Sequence, residues 1–242
     1  MRPRLLDLFC KQGGAAEGYH RAGFDVLGVD IEPQPLYPFE FIREDAMRVL
    51  DHLVRHWAGK PEASILGYQI HAIHASPPCE FATQMNASWR SRGVTADYED
   101  LLTPTRLALR ELGVPYVIEN VVGAKRYFSP TLMLHGGMFG LDVHRPRLFE
   151  SSILILAPKS PVNHKPVGVY GDHPEPNGRT RLNGGRTGTR SIMRIARTLE
   201  EAQQVMGMPW ADWDGCRKAI PPAYAEHIGR QLLAALPQAA AS

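Results

Sequence analysis

Three short stretches of this chain combine residue types that can carry out a reaction. Ser76-Pro77-Pro78-Cys79-Glu80 follows an apolar run and sets a cysteine on a loop stiffened by two prolines. A thiol is the best side-chain nucleophile near neutral pH once its pKa is lowered; a lone cysteine is equally at home as a small packed hydrophobe. Val117-Ile118-Glu119-Asn120-Val121 ends a second apolar run in an acid. A carboxyl group there needs a partner, and with a raised pKa it can donate a proton; set in water, it is an ordinary strand end. Arg145-Pro146-Arg147 places two arginines on one side of a strand entrance. Their rigid forks suit phosphate or carbonyl recognition, although exposed arginines are often just solvated.

A fourth stretch, Asp7-Leu8-Phe9-Cys10-Lys11-Gln12-Gly13-Gly14, has the makings of a ligand cradle. Open α/β sheets bind ligands at the carboxyl ends of their strands, and glycines there admit a close backbone approach. Asp30 ends the next apolar run, where a carboxylate can accept both hydroxyls of a ribose, and Asp45 opens the following helix. A tight turn with two helix caps explains the same residues. The stretch is neither a GxGxxG nor a phosphate-loop motif.

The elements that must hold these groups alternate in type. Arg4 to Phe9, Asp25 to Val29, Phe39 to Arg43, Ile70 to Ala75, Val114 to Asn120 and Arg147 to Leu156 read as strands. Between them, helices are expected from Gly14 to about Ala22, after Asp45 with Met47, Leu50, Leu53, Val54 and Trp57 on one face, and from a Thr103-Pro104 cap to Gly113. This is an α/β chain with a doubly wound, mostly parallel sheet. Residues 1–156 form the main domain. Residues 157–197, rich in Pro, Gly, Asn and Arg, form a small loop-rich insert, and residues 198–242 return as helices. In that last part Thr198 to Glu201 is a capping-box pattern, Gly207 a helix stop, and Pro221 to Leu236 a helix burying Tyr224, Ile228 and Leu232.

Composition narrows the class. No apolar run approaches the roughly 18 residues of a membrane span, and the first ten residues read as a strand rather than a secretion signal. Three cysteines without pairing or metal-ligand spacing argue against a disulfide framework or a metal site and favour the cytoplasm. A net charge of +2 is too small to imply nucleic-acid binding by itself, but six arginines and no acid lie between Arg179 and Arg197.

In this order, Asp7-Leu8-Phe9 with Gly13-Gly14, Pro77-Pro78-Cys79, Glu119-Asn120-Val121 and Arg145-Pro146-Arg147, closed by Arg217 to Gln231, resemble the motif set of the C5-cytosine DNA methyltransferases. The resemblance spans residues 4–150 and 198–235 and implies a Rossmann-like methyltransferase fold with S-adenosyl-L-methionine as cofactor. It implies that Asp7, Phe9, Gly13, Gly14 and Pro78 line the cofactor site. Asp30 would hold the ribose, Ile31 lie against the adenine, Asp45 take its amino group, and Lys218 and Ala219 lie near the methionine end. The partner would be double-stranded DNA with a cytosine flipped out of the stack. Cys79 would attack C6, Glu119 hold N3 and the exocyclic amine, Arg147 bind the O2 side, and Arg145 support it or a phosphate. Arg179, Arg181, Arg186 and Arg190 would contact DNA phosphates, with Asn177 and Asn183 as base readers. The short insert implies a short or relaxed recognition sequence, in a bacterial or viral enzyme acting as a monomer.

Four positions depart from the family pattern. Lys11 replaces a glycine, Glu80 a glutamine, and Val143-His144-Arg145 lacks a leading glutamine. Arg217-Lys218-Ala219-Ile220 replaces a Gly-Asn-Ala-Val-like segment. Lys218 raises the alternative that the cofactor is a carboxylated S-adenosylmethionine and the transferred group a carboxymethyl; a lysine facing solvent or DNA phosphate is the plainer reading. Other readings are methylation of cytosine in RNA and a catalytically weak DNA-binding module. A nicotinamide oxidoreductase would share the sheet and leave Pro-Pro-Cys and Glu-Asn-Val unexplained.

Overall fold

The structure, a computed structural model, describes residues 2–60, 63–78, 99–128, 131–159, 166–171, 173–174, 179–181 and 192–236, with the backbone alone at 179–181 and 192–193. The elements run β1 (Arg4–Leu8), α1 (Gly14–Ala22), β2 (Asp25–Asp30), β3 (Glu40–Arg43), α2 (Ala46–Trp57), β4 (Ala63–Ile65), β5 (Tyr68–Ile70), β6 (Ala72–Ala75), α3 (Leu102–Leu112), β7 (Tyr116–Val121), β8 (Leu132–Leu134), β9 (Arg147–Ser151), β10 (Val167–Gly168), β11 (Arg179–Arg181), β12 (Ile192–Ile195), α4 (Leu199–Met206), α5 (Trp213–Lys218) and α6 (Pro222–Ala235). Two 3-10 turns lie at Val122–Tyr127 and Gly136–Phe139.

Seven strands form one sheet in the order β3-β2-β1-β6-β7-β9-β8. The first five are parallel, and β9 runs antiparallel to both neighbours. Strands covered on both faces carry continuous apolar runs, and here each face has its own cluster. Leu6, Leu8 and Leu27 pack with Leu50 and Leu53 of α2 and Leu109 of α3, whereas Leu5, Val26 and Val117 pack with Tyr19 of α1 and Tyr224, Ile228 and Leu232 of α6. This is the doubly wound, mostly parallel α/β architecture that the alternation of elements predicts. A third cluster joins Val167, Val169 and Ala196 around a small sheet, β10-β12-β11, to Met206, Met208 and Trp213. Among the described residues no helix is long and apolar enough to cross a membrane.

Several boundaries differ from those expected, each for a local reason. The run from Ile70 to Ala75 is two strands. β5 turns back on β4 through a two-residue loop, Leu66-Gly67, with both φ positive (50° and 79°), and β6 joins the main sheet beyond His71. A hairpin loop of that twist favours Asn-Gly or Gly-Gly, so the leucine hides it. Helix α3 begins before Thr103, because Asp100 accepts from Leu102 N (3.0 Å) and Thr103 N (3.1 Å) and acts as the cap. β7 starts at Tyr116, after Pro115, and β9 ends at Ser151, whose hydroxyl accepts from Ile153 N at 3.2 Å and turns the chain away. At α4 the Thr198 hydroxyl accepts from Glu201 N (3.2 Å), but the Glu201 carboxylate reaches Arg197 N (2.7 Å) rather than the cap residue.

The first and last helices pack backbone to backbone. A methyl group on Gly18 would collide with the Pro222 carbonyl oxygen, and a methyl on Gly229 would stand 2.8 Å from Ala22 Cβ. A backbone oxygen cannot rotate aside, so Gly18→Ala is expected to force α1 and α6 apart and destabilise the protein by about 1–3 kcal/mol. Urea denaturation checks this; wild-type stability in the variant would refute the contact.

Candidate active site

Several of the candidate residues, Asp30 and Glu119 among them, lie at the carboxyl edge of the sheet. β1 ends in a turn in which Phe9 (φ 60°), Lys11 (φ 46°) and Gly13 (φ 80°) all take left-handed conformations. That region costs about 1–3 kcal/mol for a side chain with a β-carbon, and both Phe9 and Lys11 carry one. At Lys11, contacts offset the strain: Lys11 N donates to Asp30 Oδ2 at 3.1 Å, and Nζ lies 2.9 Å from Glu32 Oε2 and 3.5 Å from Asp30 Oδ1. Those partners hold the Lys11 ammonium above its usual range despite the opposing effect of partial burial.

Asp30, 3% exposed, also accepts from Glu32 N through Oδ1 at 3.1 Å. Oδ2, with Lys11 N as its donor, retains a lone pair, so Asp30 orders the Lys11 turn and can still accept a ribose hydroxyl. Ile31 follows with 62% of its surface in solvent. Glu44 N donates to Asp30 O, which brings α2 alongside, and Asp45 caps that helix by accepting from Met47 N at 2.8 Å. At the two glycines the position that a β-carbon would take is filled by protein. A methyl on Gly14 would strike the Ile220 carbonyl, and one on Gly13 would meet the Tyr37 ring and Pro38. What remains for a ligand is the N-terminus of α1, which has no side-chain cap and favours an anionic group such as a carboxylate.

Asp7 lies beneath that turn, 1% exposed, and neither carboxylate oxygen finds a hydrogen-bond donor among the described residues. Burial, reinforced by the Asp30 charge, lifts its pKa well above the ordinary range. It is therefore a buried acid under the cradle rather than a wall of it. Tyr37, which packs over Gly28, has a buried hydroxyl equally without a partner there.

Glu119 stands at the end of β7, 8% exposed. Arg147, which opens the antiparallel β9 and pairs in register with Val121, brings Nε to 2.9 Å from Glu119 Oε1. The approach lacks hydrogen-bond alignment, and Oε1 has no aligned donor among the described residues. Burial raises the Glu119 pKa, opposed by the Arg147 charge, the Ser76 hydroxyl and Arg145. Asn120 Nδ2 donates to Pro77 O at 3.0 Å, which ties the Pro-Pro-Cys loop to β7 beside Glu119. Pro78 is exposed, and Cys79 and Glu80 lie outside the described residues.

Arg145 does not face this centre. It is 2% exposed, and its guanidinium donates to Ala219 O (2.9 Å), Val169 O (3.4 Å) and Arg217 O. Burial, with Arg147 nearby, lowers its pKa to about 9, so it stays charged near neutral pH. Its support for Arg147 passes through the backbone it clamps. Lys218 is half exposed and bound to Asp214 at 2.7 Å, with Arg217 on the same carboxylate. Ala219 packs against Gly14. Arg179 and Arg181 lie on β11, of which only the backbone is described; Asn177, Asn183, Arg186 and Arg190 lie outside the described residues.

Sequence reasoning missed Gln12, Trp210 and Asp212. Trp210 Nε1 donates to Gln12 O (2.8 Å), Gln12 Nε2 to Asp212 Oδ1 (2.9 Å) and Asp212 N to Gln12 Oε1 (3.1 Å), so the chain some 200 residues on is latched to the first turn. Asp212 also caps α5; an Asp three residues before a glycine was its one local sign. His74 was missed too, because it sits inside an apolar run.

No protein-family model matches the chain, and no curated protein matches it. Solved structures do match its fold. One, described as a DNA modification methyltransferase encoded within a prophage (E. coli), aligns with a TM-score of 0.59 and 15% identity over 95% of this chain and 98% of that chain. The Entamoeba histolytica methyltransferase EhMeth aligns with a TM-score of 0.55 and 13% identity, over 97% and 98%. The S. pombe Dnmt2 methyltransferase gives 0.53 and 13%, over 96% and 99%. The chain therefore has the fold of these methyltransferases.

Asp7 supplies a test of the electrostatics. Its folded pKa lies above its unfolded value, so its contribution to stability is full below about pH 4 and declines as pH rises towards the folded value. In Asp7→Asn that slope should vanish, leaving the variant more stable relative to wild type at pH 8 than at pH 5. Urea titrations at both pH values check this; a difference that does not change with pH would refute it.

Proposed function

We propose that this chain is an S-adenosylmethionine-dependent methyltransferase that modifies cytosine at C5 in duplex DNA. The observation that carries the reading is the Glu119–Arg147 pair. A buried carboxylate and a guanidinium meet at the carboxyl edge of the sheet, one carboxylate oxygen lacks an aligned donor, and the Pro77 carbonyl is fastened beside them. A flipped-out cytosine presents the complement: an amine that donates to Glu119, an N3 that can accept its proton, and an O2 for the arginine.

The residues around the first turn suit the cofactor. The uncapped α1 N-terminus favours its carboxylate, Asp30 keeps a lone pair for the ribose, and Ile31 is held out in solvent to lie against the adenine. When bound, S-adenosylmethionine supplies an electrophilic methyl group. Cys79 adds as a thiolate to C6, which turns the otherwise unreactive C5 into a nucleophile. Glu119, whose buried carboxyl holds a proton more readily than one in water, gives that proton to N3 as the ring gains electron density, and Arg147 neutralises O2. Loss of the C5 proton then expels the thiolate and restores the ring. Lys218 is already paired with Asp214, so a carboxylated cofactor would have to compete with a built-in carboxylate; the plain methyl donor is the reading favoured. The arginines from Arg179 to Arg197 would bind phosphates.

Mass spectrometry of nucleosides from duplex DNA and from RNA, incubated with the protein and either the plain or the carboxylated cofactor, tests this. Expected is 5-methylcytosine in DNA alone, dependent on the plain cofactor, absent with Cys79→Ala, and made about 100- to 10,000-fold more slowly by Glu119→Gln. Product in RNA alone, or a carboxymethyl product, would replace the reading. No product, with no adduct on 5-fluorocytosine DNA, would end it. Bisulfite mapping of the product should show a short recognition sequence.

A further inference from the structure

Behind Glu119, on the α1 side of the sheet, runs a line of polar side chains that the proposed reaction does not use. His74 lies on β6 with no solvent exposure, paired in register with Asp7 on β1 and Val117 on β7. Its Nδ1 is 3.0 Å from the Tyr19 hydroxyl of α1, and its Nε2 is 2.9 Å from the Ser76 hydroxyl. The Ser76 hydroxyl in turn lies close enough to Glu119 to lower the pKa of its carboxyl group, and so favours the ionised form. Burial depresses the His74 pKa to about 3, so the ring is neutral and one nitrogen must accept while the other donates.

Both ends of the line dictate the same tautomer. Among the described residues Nδ1 is the one acceptor that the Tyr19 hydroxyl reaches, so Tyr19 donates and Nδ1 accepts. Ionised Glu119 has no proton to give, so in that form Ser76 donates to it, and the Ser76 oxygen is left to accept from His74 Nε2–H. Every dipole then points towards Glu119. The line is not a proton supply, since burial, with the charges of Asp7 and Glu119, holds the Tyr19 phenol well above its ordinary range and a tyrosinate would be left behind.

We propose that Tyr19 and His74 are positioning residues for Glu119: Tyr19 locks the imidazole tautomer, and the imidazole turns the Ser76 hydroxyl onto the carboxylate, holding it in place for the base. This rests on the reading of Glu119 as the group that binds the target base. The groups facing the line are Tyr19 of α1, Asp7 of β1, Glu119 of β7 and Arg147 of β9, with Tyr37 beyond Asp7. Without the Tyr19 hydroxyl the imidazole is free to invert, Nε2 takes the Ser76 proton, and Glu119 loses a donor.

The test reads Glu119 directly, in protein labelled with 13C at glutamate carboxyls and with the signal assigned through Glu119→Gln. Ser76→Ala and Tyr19→Phe should each raise the Glu119 titration midpoint, by about one pH unit for the loss of one donor, while Ser76→Thr leaves it near wild type. Tyr19→Phe added to Ser76→Ala should produce no further change, because Tyr19 acts only through Ser76. The limb of the kcat–pH profile belonging to Glu119 should move with the midpoint while KM for DNA stays constant. An unmoved midpoint in folded Tyr19→Phe, or additive changes in the double variant, would overturn the proposal. If the wild type makes no methylcytosine, the functional reading falls, and the titration still decides whether the line controls Glu119.

Discussion

A guanidinium has five donors and no acceptor, so burying one obliges the fold to supply carbonyls around it. Arg145 imposes that demand at the junction of three parts of the molecule. Its donors take Val169 O beside the small three-stranded sheet and Arg217 O and Ala219 O at the end of α5, and its own carbonyl accepts from Tyr224 of α6 at 2.9 Å. The chain after α5 is thus pinned across the first turn, where Ile220 and Ala219 pack against Gly14 and Asp212 locks onto Gln12. Arg147, two residues on, enters β9 from this fixed point.

The sheet's one reversed strand explains why the pair forms where it does. The parallel strands all end at the carboxyl edge, and each delivers a polar residue at or near its end: Asp30 as the last of β2, Ser76 just after β6, Glu119 late in β7. An antiparallel strand starts at that edge instead. β9 therefore contributes its first residue, Arg147, on the same face as Glu119. Cation and carboxylate meet because their strands run in opposite directions.

What was legible in the sequence was what depends on near neighbours. β1, α1 and β2 show as continuous apolar strands around a helix because both sheet faces are covered, and Asp45 and Thr198 show as caps because a cap acts within three residues. The order of motifs led to the correct fold. What was hidden depends on contacts across the chain. Nothing beside Arg145 marks it as buried rather than exposed beside Arg147. Nothing beside Gly13 and Gly14 shows that Tyr37 and Ile220 stand where their β-carbons would, since those two are far along the sequence or in a stretch without periodicity. His74 is one polar residue in an apolar run, and only the register with Asp7 and the reach of Tyr19 give it a role.

The contact between Gly18 and Pro222 also has a consequence for how the protein comes into being. The apolar cluster beneath the first turn is completed by Tyr224, Ile228 and Leu232, from the other end of the chain. During synthesis the amino-terminal strands leave the ribosome with one face of their sheet still uncovered, and that face stays open until α6 has emerged. Pairings so distant in sequence form slowly and leave apolar surface exposed meanwhile. The first turn could therefore not reach its final form until α6 is made.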